Sequence, residues 1–158
     1  MEEFTGFKEK AKAVWSDFAS MENFTGVAAP RLVEFARVSS QQKVLDVAGG
    51  TGVVALTAAR TGADVTGSDL TPQLVSRARE NNQILGFNVD FHEADVEALP
   101  FENETFDVVL SQFGHMFAPR PDISVSEMLR VLKRIKTSSV EWAAQYSSND
   151  LVEREKII

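Results

Sequence analysis

Val44-Leu45-Asp46-Val47-Ala48-Gly49-Gly50-Thr51-Gly52 is the stretch that decides how this 158-residue chain folds. Its first half is a short, β-branched apolar run of the kind buried on both faces of a parallel sheet. Its second half is a glycine turn. Val53 to Arg60 then returns to helical composition and stops at Gly62, a good helix C-cap. Strand, glycine turn and helix in that order open a βαβ unit, and the pattern recurs downstream. Ala63 to Asp69 reads as a second strand, and Thr71 and Pro72 as the N-cap and first-turn proline of a helix reaching Leu85. Asn88 to Glu93 and Phe106 to Ser111 read as two further strands, and Val125 to Arg134 as an amphipathic helix. Four strands interleaved with helices predict an α/β fold, a doubly wound, Rossmann-like parallel sheet with right-handed crossovers.

Upstream, residues 4–20 carry helical spacing, with Phe4, Phe7, Ala11, Val14, Trp15 and Phe18 able to share a face. A second helix is expected from Ala28 to Val38, opened by Pro30. Downstream of Lys133, Thr137 to Val140 reads as a short strand and Glu141 to Ile158 as a terminal helix. The expected organisation is N-terminal helices over 1–40, able to cover a site, a Rossmann-like core over 41–136 and an atypical tail over 137–158.

Composition narrows the function. A net charge of −7 disfavours a nucleic-acid-coating role. The absence of cysteine removes disulfides, thiolate metal sites and a Cys nucleophile, and two histidines cannot supply a three-His metal site, so no metal is expected. No apolar run approaches the ~18 residues of a membrane span, and Met1-Glu2-Glu3-Phe4-Thr5 lacks a signal peptide's basic and apolar regions. A cytoplasmic protein without membrane partners is the expectation.

Open parallel sheets bind ligands outside the carboxyl ends of their strands. The informative segments are therefore Asp46 to Gly52, Ser68 to Thr71, Ala94 to Val96 and Ser111 to Phe117. Gly49, Gly50 and Gly52 let backbone approach a ligand, and the helix that follows offers free N–H groups. Gly50-Thr51-Gly52-Val53-Val54-Ala55 also satisfies the G-x-G-x-x-G/A fingerprint, which keeps a nicotinamide or flavin cofactor open. Asp69 at the end of the second strand can accept from both ribose hydroxyls. Asp95 can accept from an exocyclic amine while Val96 packs on the ring. Asp46 is a carboxylate expected to be buried, costly unless a cation pairs with it. A ligand ammonium suits it, and a pyrophosphate does not.

Taken together, Val44 to Gly52 and Val65 to Thr71 resemble the first two motifs of class I S-adenosylmethionine-dependent methyltransferases. Ala94 to Phe101 and Thr105 to Ser111 look like the next two, and Glu127 to Lys133 like the helix end before a fifth strand. The Ala-Gly-Gly-Thr-Gly loop is similar to that of ubiquinone and menaquinone C-methyltransferases and their small-molecule relatives. The resemblance implies S-adenosyl-L-methionine as cofactor. It implies that Asp46, Ala48, Gly49, Gly50, Thr51 and Gly52 hold the methionine moiety, with Asp46 on the ammonium. Asp69 would hold the ribose, Leu70 would flank the adenine, and Asp95 and Val96 would fix its edge. Ser111 and Gln112 would lie near the reacting methyl.

Ala48 departs from the family's usual first loop glycine, and Arg134-Ile135-Lys136-Thr137 stands where Pro-Gly-Gly and a fifth strand normally follow. The family sheet has seven strands, so a chain cut short or completed by another chain is expected. An unpaired apolar edge at the fifth-strand position would invite a homodimer. The partner implied is a small, partly apolar methyl acceptor, lined by Phe113, Met116 and Phe117, with Trp15 and Phe18 if the N-terminal helix folds over. His115 is the one named base candidate, against the plainer reading of a histidine packed in a loop. Two alternatives stay open: a non-catalytic S-adenosylmethionine-binding or interaction protein, and an NAD(P)-dependent oxidoreductase.

Overall fold

Lys43–Val47, Asp64–Asp69, Asp90–Glu93 and Val108–Leu110 form strands β1 to β4 of one sheet in the computed structural model, which describes residues 4–134. All pairings are parallel, and the spatial order is β3-β2-β1-β4. The chain thus steps outward from β1 through β3, then returns to the other side of β1. The connections leaving β1 and β4 run to helices on opposite faces of the sheet at that reversal, where a ligand cleft is expected.

Burial explains the strands' composition. Val44, Val65, Val108 and Leu110 pack on one side of the sheet with helices α3 (Ala29–Phe35), α4 (Val53–Ala59) and α5 (Pro72–Leu85). Leu45, Val47 and Val109 pack on the other side with α6 (Pro121–Val131). Both faces are covered, so the strands read as continuous apolar runs. Gly52, at φ 82°, begins α4 in a left-handed conformation, and a Cβ there would collide with the Phe91 ring. Only glycine satisfies both demands.

Several boundaries differ from the expectation: the helix expected over Ala28 to Val38 spans Ala29–Phe35, and the strands expected over Asn88 to Glu93 and Phe106 to Ser111 are trimmed to Asp90–Glu93 and Val108–Leu110. The periodic stretch 4–20 divides into α1 (Thr5–Trp15) and a 3-10 segment, Ser16–Met21, followed by the single-turn helix α2 (Glu22–Thr25). None of the three buries a residue completely, so no core contact enforces one continuous helix. The expected helix 125–134 starts earlier, because Pro121 and Asp122 suit a first turn, and ends at Val131. Leu132 is already extended and bridges Phe106 in parallel, and the Lys133 N–H donates to the Phe106 carbonyl (2.8 Å). The chain therefore leaves α6 alongside the outer edge of β4. The expected strand 137–140 and helix 141–158 lie outside the described residues. Among the described residues no helix is long and apolar enough to cross a membrane.

Candidate functional site

A cleft of about 330 Å³ opens at the carboxyl ends of β1, β2, β3 and β4. Its floor is the glycine turn. The penultimate residue of β1 is Asp46, wholly buried, whose Oδ2 accepts the Ala55 backbone N–H (3.0 Å) while Oδ1 has no partner. Burial pushes this carboxyl up to about 7. The Ala55 N–H opposes the rise, and the nearby charge of Asp69 adds to it. A buried carboxyl with a free oxygen beside a cleft is a site for a cation or a strong donor.

Asp69 ends β2, one strand over. Its Oδ2 accepts the Gly50 N–H (2.9 Å) and its Oδ1 the Thr71 N–H (2.8 Å). One carboxylate thus pins the glycine turn and the entry to α5 at the same time. Burial raises its pKa, and these backbone donors hold the rise in check. Thr71 occupies the N-cap position as expected, although its side chain makes no capping bond. Gly50, at φ 58°, faces open space where a Cβ would meet nothing within 4 Å, which leaves room for a ligand against the backbone. Ala48 also adopts positive φ (51°), and a Cβ on Gly114 would overlap its carbonyl oxygen. The β1 and β4 loops therefore meet backbone to backbone.

Ala48, Gly49, Gly50, Thr51, Asp46, Asp69, Leu70, Asp95, Val96 and Gln112 all line the cleft, though they come from four separate strand ends. Gly52, Ser111 and His115 do not. Gly52 is taken up by packing on Phe91, and Ser111 is buried with its Oγ accepting the His115 N–H (3.2 Å). The buried Nδ1 of His115 has no partner. Gln112 donates from Nε2 to the Thr25 carbonyl (2.8 Å), and its buried Oε1 is unpartnered. That bond fastens α2 to the end of β4.

The opposite wall is aromatic. Trp15, Phe18 and Phe117 line the cleft, with Phe117 centred 6.3 Å from Trp15 and 6.2 Å from Phe18, the latter edge to face. Met116 is 62 % exposed and lies outside the lining, so it is not part of this wall. Sequence reading missed an ionic group at the Asp95 end of the cleft. Lys8 of α1 bonds both Asp95 and Glu97, and Arg120 bonds Glu97 through its backbone N–H, Nε and Nη2. Glu97 stood in a recognised stretch, and its burial is a tertiary property with no local signal. Lys8 lies 87 residues from Asp95, beyond any spacing rule.

These features fit the cofactor that the motifs imply: an orphaned buried carboxyl oxygen for an ammonium, an open glycine backbone, and acids ending β2 and following β3. Comparison with known proteins points the same way. Residues 44–134 match the methyltransferase domain family. An uncharacterised protein of Mycobacterium tuberculosis is 40% identical over 138 residues, covering 85% of this chain and 50% of that protein. A ubiquinone/menaquinone biosynthesis C-methyltransferase of Allorhizobium ampelinum is 43% identical over 103 residues, covering 62% of this chain and 40% of that protein. The crystal structure of the YcgJ protein from Bacillus subtilis superposes with a TM-score of 0.65 at 27% identity, over 68% of this chain and 46% of that one. The chain spans about half the length of the curated relatives it matches first.

Proposed function

The chain belongs to the class I S-adenosylmethionine-dependent methyltransferases, and from that premise we propose that its cleft binds S-adenosylmethionine and directs the methyl group to a small, partly apolar acceptor. The observation that carries the reading is Asp46, a buried carboxyl with one oxygen unpartnered beside the cleft. Bound there, S-adenosylmethionine supplies a methyl group on a sulfonium that is already a good leaving group.

The residues' work is binding and alignment. Asp46 accepts from the ligand ammonium, and the added positive charge draws the carboxyl back to its ionised form. Asp69 offers its remaining lone pairs to the ribose hydroxyls while its backbone bonds keep the glycine turn in place. Leu70 and Val96 flank the base, and Asp95 accepts from its amino edge. The Gln112 Oε1 accepts from a donor at the methionine end. Trp15, Phe18 and Phe117 close the acceptor side and exclude water. Positioning of this kind can lower a displacement barrier by ~7–11 kcal/mol. His115 receives no proton-transfer role in this reading, because it does not line the cleft.

Among the residues lining the cleft, Glu22, Asp46, Asp69 and Asp95 are acidic and Lys8 is the basic one, a balance that suits a cationic cofactor over a dinucleotide pyrophosphate. Calorimetric titration tests the reading: S-adenosylhomocysteine is expected to bind one to one and NADH not at all. Binding of NADH in preference would overturn it in favour of an oxidoreductase.

A further inference from the structure

Glu97 is a buried acid whose side chain is 1% exposed, and two cations from distant parts of the chain converge on it. Arg120 arrives from the start of α6 and Lys8 from α1. Lys8 Nζ sits 2.5 Å from Glu97 Oε2 and 2.5 Å from Asp95 Oδ2. The second oxygen of Asp95, Oδ1, accepts the Glu97 backbone N–H (3.0 Å). Burial works against charge on both sides of this group. For Glu97 it is outweighed by hydrogen bonds from Arg120 and Lys8, which hold its pKa low. For Lys8 it is outweighed by Asp95 and Glu97, which hold its pKa high.

Two like charges two residues apart would otherwise repel, and Asp95 is the one nearer water, its side chain 28% exposed against 1% for Glu97. Lys8 supplies the counter-charge that keeps Asp95 facing the cleft. We propose that Lys8 is a positioning residue for base recognition: by bridging Asp95 and Glu97 it fixes the carboxylate that accepts from the amino edge of the bound base. The N-terminal helix is thereby part of base selection as well as a cover. Lys12, one turn further on, pairs at 3.4 Å with Glu93, which is 50% exposed, and has no such role. This inference rests on the reading of the cleft as an S-adenosylmethionine site.

The experiment compares S-adenosylhomocysteine with S-inosylhomocysteine, in which an oxo group replaces the amino group of the base, on the full chain by calorimetry. A carboxylate aimed at the amine should favour the adenine ligand by roughly tenfold or more. In Lys8→Met that preference is expected to fall to within about threefold, mostly through weaker binding of the adenine ligand. Lys8→Arg should restore it, and Lys12→Met should leave it unchanged. Equal weakening of both ligands in Lys8→Met would overturn the proposal, since a mere strap on the helix cannot tell the bases apart. Equal binding of both ligands by the unaltered protein would overturn it too while leaving the cofactor reading intact. Binding of neither would overturn that reading as well. Should Lys8→Met fail to fold, Lys8→Gln decides the matter: a preference reduced to within about threefold supports the bridge, and an unchanged preference overturns it.

Discussion

The two walls of the cleft are built by different means. The floor, from Asp46 through Asp69, is held by backbone bonds to buried carboxylates at the ends of two central strands. The cover, from α1 to α2, buries no residue fully and is held by side chains: Lys8 on two acids, Gln112 on the Thr25 carbonyl, and Trp15 and Phe18 on Phe117. The floor is preorganised and cannot move without breaking the fold. The cover can be released while the sheet stays intact, since a fold yields first where few apolar contacts are buried. A site that must admit and release a ligand needs both kinds of wall.

The strongest way to break this contrast is Asp69→Ala. Two charge-assisted backbone bonds disappear, so unfolding by urea should show a loss of about 2–4 kcal/mol. S-adenosylhomocysteine binding should weaken by an order of magnitude or more. Unchanged stability would mean that the glycine turn holds without Asp69.

Next comes the pH response of Asp46. With its carboxyl pushed up to about 7, the ionised form should grow roughly tenfold between about pH 6 and about pH 8. Ligand affinity should follow by a similar factor, and Asp46→Asn should flatten the profile. The effect on stability has the opposite sign. The folded state holds this proton more tightly than the unfolded chain, so Asp46's contribution falls as pH rises from its ordinary value of 3.8 through about 7. A ligand-free protein whose melting temperature loses that component in Asp46→Asn would bear this out.

Phe117→Ala sharpens the comparison from the other side. Removing the ring that both Trp15 and Phe18 meet should speed proteolysis within residues 5–25 while costing the core less than about 1 kcal/mol. A large drop in core stability would make the cover part of the core. Lys12→Met should do least, within about 0.5 kcal/mol, because its partners are exposed.

The same contrast explains what could be read from sequence. The floor is local: a β-branched run, a glycine turn and an N-capped helix each sit within about ten residues, so the strand ends that carry Asp46 and Asp69, the turn at Gly50 and the segment after β3 that carries Asp95 are legible in short-range pattern. The cover is non-local. Periodicity gave a helix over 4–20 and could not show the break at Ser16, where no buried contact sustains regular geometry. Nor could it show Lys8 on Asp95 or Arg120 on Glu97, which join residues far apart in the chain. His115 follows β4 in sequence, yet it does not line the cleft although Gly114 and Phe117 on either side of it do, a matter of side-chain placement that local pattern does not encode. The helix start at Pro121 was legible from Pro121-Asp122, and the apolar count placed it too late.

Hydrogen exchange of the full chain with and without S-adenosylhomocysteine tests the account most directly. It predicts slowed exchange at both walls together, in Gly49 to Thr51, Leu70 to Thr71 and Asp95 to Glu97 on the floor, and across α1 and α2 on the cover. The cover should show the larger change, because it starts from the weaker hold. Protection confined to other parts of the chain, with the glycine turn and the cover unaffected, would contradict it.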